Sequence, residues 1–159
     1  MRTRNQLMQA MTQRGFSIVE AMVALLVLSI GMLGIAGLYV TTLRASGSAL
    51  YRSHAVNFAA DMADRIRANP TAREAYEGAA ADNDCAEGAT CGPAALAADD
   101  VFRWQDQMAA ILPDDGDVAT PQGTVFVDGA GTLRTYTITV SWSEPTEPLA
   151  LTYQLVMQI

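Results

Sequence analysis

The longest apolar stretch of the chain covers residues 21–40, which contain no charged side chain and only Ser29 and Tyr39 as polar ones. As a helix, these twenty residues would span about 30 Å at ~1.5 Å per residue, the thickness of the hydrocarbon core of a bilayer. A buried helix of a soluble protein rarely stays apolar on every face over this length. The pattern therefore predicts a transmembrane helix within about residues 17–40.

The helical pattern continues beyond the apolar stretch with a different character. Apolar or small side chains recur there every three or four positions, and charged side chains mostly fall outside this stripe. The sequence then reaches Asn69 and Pro70, where a helix should stop because proline cannot continue it. We expect one helix from residue 16 to about residue 68, whose second half packs on a soluble domain. The predicted stripe consists of Leu43, Gly47, Leu50, His54, Phe58, Met62 and Ile66.

The C-terminal third alternates between apolar and polar residues, as strands do. Residues 135–142 carry large side chains at even positions and hydroxyl side chains at odd ones, and residues 124–127 form a shorter candidate strand. We expect an α+β fold in which the long N-terminal helix packs on a C-terminal antiparallel sheet with one buried face. A further strand is predicted to bury Leu149, Leu151, Tyr153, Leu155, Met157 and Ile159.

The segment between helix and strands is rich in alanine, glycine and aspartate from residue 71 to about residue 98. Asp99 or Asp100 is expected to cap a short helix that runs to about Leu112. The acidic residues that follow could bind calcium, but they do not form a full twelve-residue calcium loop, and an acidic solvated turn is favoured. These residues are Asp114, Asp115 and Asp117.

Charge is distributed unevenly along the chain. Three of the ten arginines lie in residues 1–15, which contain no acid, so residues 16–159 carry seven arginines against seventeen acids, a net charge of −10. This excess argues against a nucleic-acid partner, since phosphate binding needs clustered basic side chains. The basic N-terminal side of the apolar stretch predicts a cytoplasmic N-terminus, with the residues after about 41 on the other side of the membrane.

Candidate chemistry is sparse. One histidine and two cysteines are too few for a metal centre built from several such ligands, and no catalytic constellation is present. We therefore expect neither an enzyme nor a bound cofactor. Glu20 stands out because it lies at the edge of the apolar stretch, where a carboxylate costs on the order of 2–3 kcal/mol. The cost predicts a partner for Glu20, and the alternative is that its side chain extends to the lipid headgroups.

A motif surrounds Glu20: a short basic leader ends in Gly15, Phe16 follows, and Glu20 is the fifth residue after Gly15, ahead of the apolar helix. The motif resembles the prepilin signal of type IV pilins. The resemblance implies that a prepilin peptidase removes residues 1–15 and that Phe16 becomes the N-methylated first residue. Glu20 would then be an assembly contact, pairing with the amine of Phe16 in a neighbouring subunit at low dielectric. The alternative for Gly15 is a simple flexible joint.

Further segments look like landmarks of the minor pilins of the PilV group: residues 63–70, Trp104, Leu112 with Pro113, and residues 140–142. This resemblance implies a leader (1–15), a long helix (16–69) and a periplasmic globular domain (70–159). It also implies a subunit that joins other minor pilins and the major pilin in the inner membrane, primes pilus assembly and reaches the cell surface. The alternatives are a minor pseudopilin of type II secretion and a tip-exposed adhesion subunit.

Cys85 and Cys91 enclose five residues. Outside the cytoplasm an isolated pair of this kind indicates a disulfide, which would contribute about 2 kcal/mol because the loop is short. Free thiols or a metal site are the alternatives.

Overall fold

The computed structural model describes residues 15–78, 80–88, 90–114, 121–129, 133–144, 147 and 149–159. In these ranges the chain forms two α-helices and a three-stranded antiparallel sheet, with two short 3-10 segments between the helices. The elements are α1 (Ile18–Ala68), the 3-10 segments Arg73–Glu77 and Cys85–Glu87, α2 (Pro93–Ile111), β1 (Gln122–Asp128), β2 (Thr135–Trp142) and β3 (Leu151–Gln158).

The chain divides into two compact units, one ending at Arg44 and the other covering Ala45–Ile159. Within the described residues, α1 is the one helix long and apolar enough to cross a membrane. Its most apolar window of 18 residues has a mean hydropathy of 2.4, and none of that window is buried. The predicted end of the helix is confirmed, since α1 stops at Ala68, directly before Asn69 and Pro70.

The sheet has the strand order β1-β2-β3, with antiparallel pairing throughout. The alternation predicted for residues 135–142 is confirmed, because every second residue of β2 is buried. β1 begins two residues before and ends one residue after the predicted strand at 124–127. The central strand therefore supplies a continuous apolar row to the core: Tyr136, Ile138, Val140 and Trp142.

The apolar face predicted around β3 is correct in its middle and wrong at its ends. Met157 is buried, and Leu151, Tyr153 and Leu155 pack partly buried against the core. Leu149 and Ile159 are exposed. The reason is that both lie outside β3: Leu149 precedes its first residue and Ile159 follows its last.

The predicted stripe on α1 holds only towards the end of the helix. Phe58, Met62 and Ile66 are buried as predicted, whereas Leu43 and Leu50 are exposed. The other buried positions are alanines, whose small side chains allow neighbouring elements to approach the helix backbone closely. These missed core residues are Ala55, Ala59 and Ala63.

The start predicted for the second helix is wrong. α2 begins at Pro93, six residues before Asp99, with Gly92 as the residue preceding the helix. Proline is favourable at the first position of a helix, where its missing N–H would have no helical partner. The helix stops at Ile111, ahead of Pro113. Trp104 is fully buried and fixes α2 to α1, because its indole N–H donates a hydrogen bond of 2.9 Å to the carbonyl oxygen of Phe58.

Candidate functional site

The predicted cleavage site lies just before α1. Gly15 and Phe16 are non-helical, α1 begins at Ile18, and the Phe16 side chain is 82% exposed. A Cβ added at Gly15 would meet no atom within 4 Å, so the fold itself does not require glycine there. A requirement for glycine would therefore come from an enzyme that binds this segment. The rest of the predicted leader, residues 1–14, lies outside the described residues.

Glu20 lies in the first turn of α1, where a negative charge interacts favourably with the N-terminal end of the helix dipole. The side chain is exposed and has no hydrogen bond or ion pair with any described residue. Two hydroxyl groups further along α1 are satisfied within the helix itself. Ser29 donates to the carbonyl oxygen of Leu25 at 2.7 Å, and Thr42 donates to that of Leu38 at 2.9 Å. Glu20 is thus a charged group at the edge of the apolar stretch that still needs a partner.

The surface of α1 around Glu20 is apolar on all sides. Within its unit the large side chains of residues 18–40 are exposed, and no described residue covers them. Such a surface requires lipid or other apolar helices. The processing motif and this surface together form the candidate functional site: Gly15, Phe16, Glu20 and the exposed apolar part of α1.

The disulfide predicted between Cys85 and Cys91 is confirmed, with the two Cα atoms 5.7 Å apart. The loop that carries it is also attached to α2 by hydrogen bonds. The backbone N–H of Asn83 donates to the Asp99 carboxylate at 2.9 Å, and the Asn83 amide donates to the carbonyl oxygen of Ala95 at 3.0 Å. The disulfide therefore closes a loop that side chains of the globular unit already hold.

Asp99 of α2 is the buried anion to which this loop is attached. Burial alone would raise the pKa of its carboxyl, but the N–H of Asn83 and the guanidinium of Arg103 outweigh that effect and hold the pKa below its ordinary value. Arg103 donates to Asp99 at 2.9 Å and lies 3.7 Å from Asp82. The hydrogen bond to Asp99 raises the pKa of Arg103. Asp99 is thus an anchor for the loop rather than the helix cap expected from the sequence.

The segment 63–70, which looked like a family landmark, has a structural role. Arg65 pairs with Asp61 at 3.0 Å and with Asp100 of α2 at 3.3 Å. The buried Tyr76 hydroxyl lies 3.0 Å from the Asp100 carboxylate. Burial has the larger effect and the charge of Asp100 the next, and together they raise the pKa of Tyr76. Asn69 donates to the carbonyl oxygen of Pro93 at 2.9 Å. This segment therefore ties the end of α1 to the start of α2.

One buried carboxylate, Glu144, was not predicted from the sequence. Glu144 follows β2, is almost fully buried, and accepts hydrogen bonds from the Trp142 indole at 2.9 Å and from the Ser48 hydroxyl at 3.3 Å. No periodicity marks Glu144, because it is the second residue after the end of the strand.

The candidate calcium segment falls mainly on residues that are not described. Asp114 is described, whereas Asp115 and Asp117 lie outside the described residues. Among the described residues, no group of three or more His, Cys, Asp or Glu side chains could hold a metal ion.

Two family models match this chain. Residues 10–36 match the prokaryotic N-terminal methylation motif, and residues 37–102 match the family described as type IV pilin Tt1218. No curated protein and no solved structure matches. The matches adjoin, and together with the α+β fold, in which buried residues of the C-terminal part of α1 share one core with the antiparallel sheet, they support a type IV pilin, a structural class of protein.

Proposed function

We propose that this chain is a minor pilin that takes part in type IV pilus assembly, in an inner-membrane complex with other minor pilins and the major pilin. One observation carries the proposal: a methylation motif leads into an apolar helix whose surface is exposed and whose Glu20 has no partner in the described chain. A surface of this kind is suited to lipid before assembly and to the apolar helices of other subunits afterwards.

Processing is the first step of this function. The prepilin peptidase would cut between Gly15 and Phe16, removing the leader and three of the ten arginines. Methylation would then modify the new amine of Phe16. The product would have a helix over residues 16–69 and a periplasmic domain over residues 70–159. A cytoplasmic N-terminus agrees with the basic leader.

Docking is the second step. The amine of Phe16 exists only after cleavage, so an ion pair with Glu20 of an adjacent subunit would form only between processed pilins. At low dielectric, leaving one member of such a pair alone costs several kcal/mol. Glu20 would therefore select correctly docked subunits.

A minor subunit is favoured by the segments that resemble the PilV group. Residues 63–70, Trp104 and residues 140–142 include core and connecting residues of the globular unit, so the resemblance extends beyond the N-terminal signal that all members of the superfamily share. The accompanying proposal is that the subunit acts in a priming or tip complex.

The test is complementation of a deletion strain with the Glu20→Ala variant. We expect insertion to be no worse, since a charge is removed from the apolar edge. Folding of the unit Ala45–Ile159 should be unchanged, because no hydrogen bond or ion pair joins Glu20 to its described residues. Co-purification with other pilins should fall on the order of a hundredfold, the equivalent of about 3 kcal/mol, and surface pili should become fewer.

Asp106→Ala is the matched control, because Asp106 is an exposed acid of α2 without an ion pair to any described residue. It should restore pili fully. Normal pilus number and normal co-purification with Glu20→Ala would contradict the assembly role and favour a carboxylate extended to the headgroups. A deletion that leaves pili intact but abolishes type II secretion would instead identify a pseudopilin.

A further inference from the structure

The two edges of the sheet differ in whether other parts of the fold bind their outward backbone groups. The outer edge of β1 is capped by side chains: the Gln105 amide donates to the carbonyl oxygen of Gly123 at 2.8 Å, and Glu77 accepts from the N–H of Val127 at 3.3 Å. These partners come from α2 and from the 3-10 segment Arg73–Glu77. The β1 edge is therefore partly closed to another strand.

The outer edge of β3 is open among the described residues. Arg134 and Ile159 exchange both backbone hydrogen bonds, at 2.8 and 2.9 Å, and bonded pairs alternate along an antiparallel ladder. With the observed register, every second residue of β3 turns its backbone N–H and C=O away from β2. No hydrogen bond to a described residue satisfies these outward groups, which belong to Thr152, Gln154, Val156 and Gln158.

Proteins usually protect such an edge with charges or proline, because unpaired backbone groups attract another strand. β3 contains neither a charged residue nor a proline over its eight residues. It is as long as the central strand β2, so it offers a full-length template for a fourth strand.

A groove of about 190 Å³ borders the first residues of this edge, between α1 and β3. Its lining is Arg52, Val56, Trp142, Leu151, Thr152 and Tyr153. Arg52 is exposed and has no ion pair with any described residue. Arg65, Arg67, Arg103 and Arg134 each contact at least one carboxylate. Arg52 is thus an available cation at one end of an open strand edge.

We propose that the outer edge of β3 receives an extended segment of another pilin subunit, which adds as a fourth strand and places an acidic side chain against Arg52. This inference rests on the proposed role in a pilin complex. The backbone groups of the edge would supply affinity, and the apolar wall formed by Val56, Leu151 and Tyr153 would select alternating apolar side chains. A second copy of this chain fits less well, since its own β3 has no acid to offer and both copies carry the same acidic excess.

Hydrogen exchange at single-residue resolution tests the backbone part of the proposal. The probe is the complex of the full mature chain with its co-expressed pilins, purified from membranes and compared with the same chain purified alone. We expect exchange at Thr152, Gln154, Val156 and Gln158 to slow by at least roughly tenfold in the complex. Tyr153, Leu155 and Met157 already donate to β2, so their amides should be protected in both samples.

This alternating pattern separates strand addition from docking through side chains, which would not protect every second amide. A complex that contains another pilin but leaves the four outward amides unprotected overturns the inference and leaves the proposed function standing. A chain that binds no other pilin overturns both. A protecting strand that crosslinking identifies as β3 of a second copy overturns the choice of occupant.

Paired substitutions test the same edge. Gln154→Pro removes an outward N–H without touching the ladder to β2, and proline is tolerated on an edge strand with that orientation. We expect it to weaken co-purification at least roughly tenfold, whereas Gln154→Ala, which loses the same side chain but keeps the N–H, should bind normally. Arg52→Glu should weaken binding of the other subunit. Arg67→Glu is the control and should leave binding unchanged, because Arg67 does not line the groove. Equal binding by Gln154→Pro and Gln154→Ala would overturn the proposal.

Discussion

At the scale of single residues, Gly123 decides how closely α2 packs on the sheet. A methyl group on its Cα would overlap with the side chains of Met108 and Trp104, so only glycine lets β1 pass there. The sequence does not reveal this role, because a glycine in a strand pattern also marks bulges and bends. The close approach becomes visible only when α2 and β1 are placed together.

Gly123→Ala should therefore destabilise the globular unit, by about 1–3 kcal/mol, the usual cost of overpacking a core. Gly47→Ala is the matched control, because a Cβ at this helical position meets no atom within 4 Å. That substitution should stabilise the protein by about 0.5–1 kcal/mol through helix propensity. Urea unfolding of the mature protein in detergent measures both changes. Equal effects of the two substitutions would contradict the packing at Gly123.

Asp99 predicts a pH dependence of stability. Its folded-state pKa lies below the ordinary value of 3.8, so its ion pair and hydrogen bonds stabilise the fold above that pH. This contribution should disappear as the pH falls below 3.8 through the lowered pKa.

Thermal unfolding between neutral pH and about pH 3 tests this linkage. The stability gap between the wild type and Asp99→Asn should be widest near neutral pH and should narrow below 3.8. Asp106→Asn, which alters an exposed acid, should leave the pH curve unchanged. A constant gap between wild type and Asp99→Asn over this range would show that Asp99 does not supply the linkage.

At the scale of elements, hydrophobic periodicity predicted which helices and strands form better than it predicted where each of them begins. The long helix, its end before Pro70 and the alternation of β2 follow from local pattern and turn chemistry alone. The start of α2 did not follow from the local pattern. Asp99 resembles a helix cap in the sequence, but its carboxylate accepts hydrogen bonds from Asn83 of the neighbouring loop and from Arg103. The buried alanines of α1 were missed because small side chains leave a weak hydrophobic signal.

The disulfide loop is held both by the Cys85–Cys91 bond and by hydrogen bonds to Asp99. Cys85→Ala should cost about 2 kcal/mol of unfolding free energy, since the bond closes a loop with a separation of only six residues. The loop should nevertheless remain folded, because Asn83 and Arg103 still bind Asp99.

Chemical denaturation of Cys85→Ala and of the double variant Cys85→Ala with Cys91→Ala measures this cost. Wild-type protein under reducing conditions serves as a control and should lose about the same amount. Complete unfolding of the single variant without denaturant would show that the disulfide is essential to the fold.

At the scale of the whole molecule, the candidate site was readable from sequence because it is local. Gly15, Phe16 and Glu20 fall within six consecutive residues, and the apolar helix follows directly. The contacts of the globular unit were not readable, since Trp104 with Phe58 and Ser48 with Glu144 join residues far apart in the chain. The same holds for the open edge of β3, which depends on which strand lies in the middle of the sheet.

The mass of the mature N-terminus shows whether this chain is processed and used as a pilin. The protein is purified from membranes of a strain with an active prepilin peptidase and is analysed by intact and peptide mass spectrometry. We expect the first residue to be Phe16 with a methyl group on its amine. An intact N-terminus, or a mature chain that begins elsewhere, such as after Ala45, would contradict it.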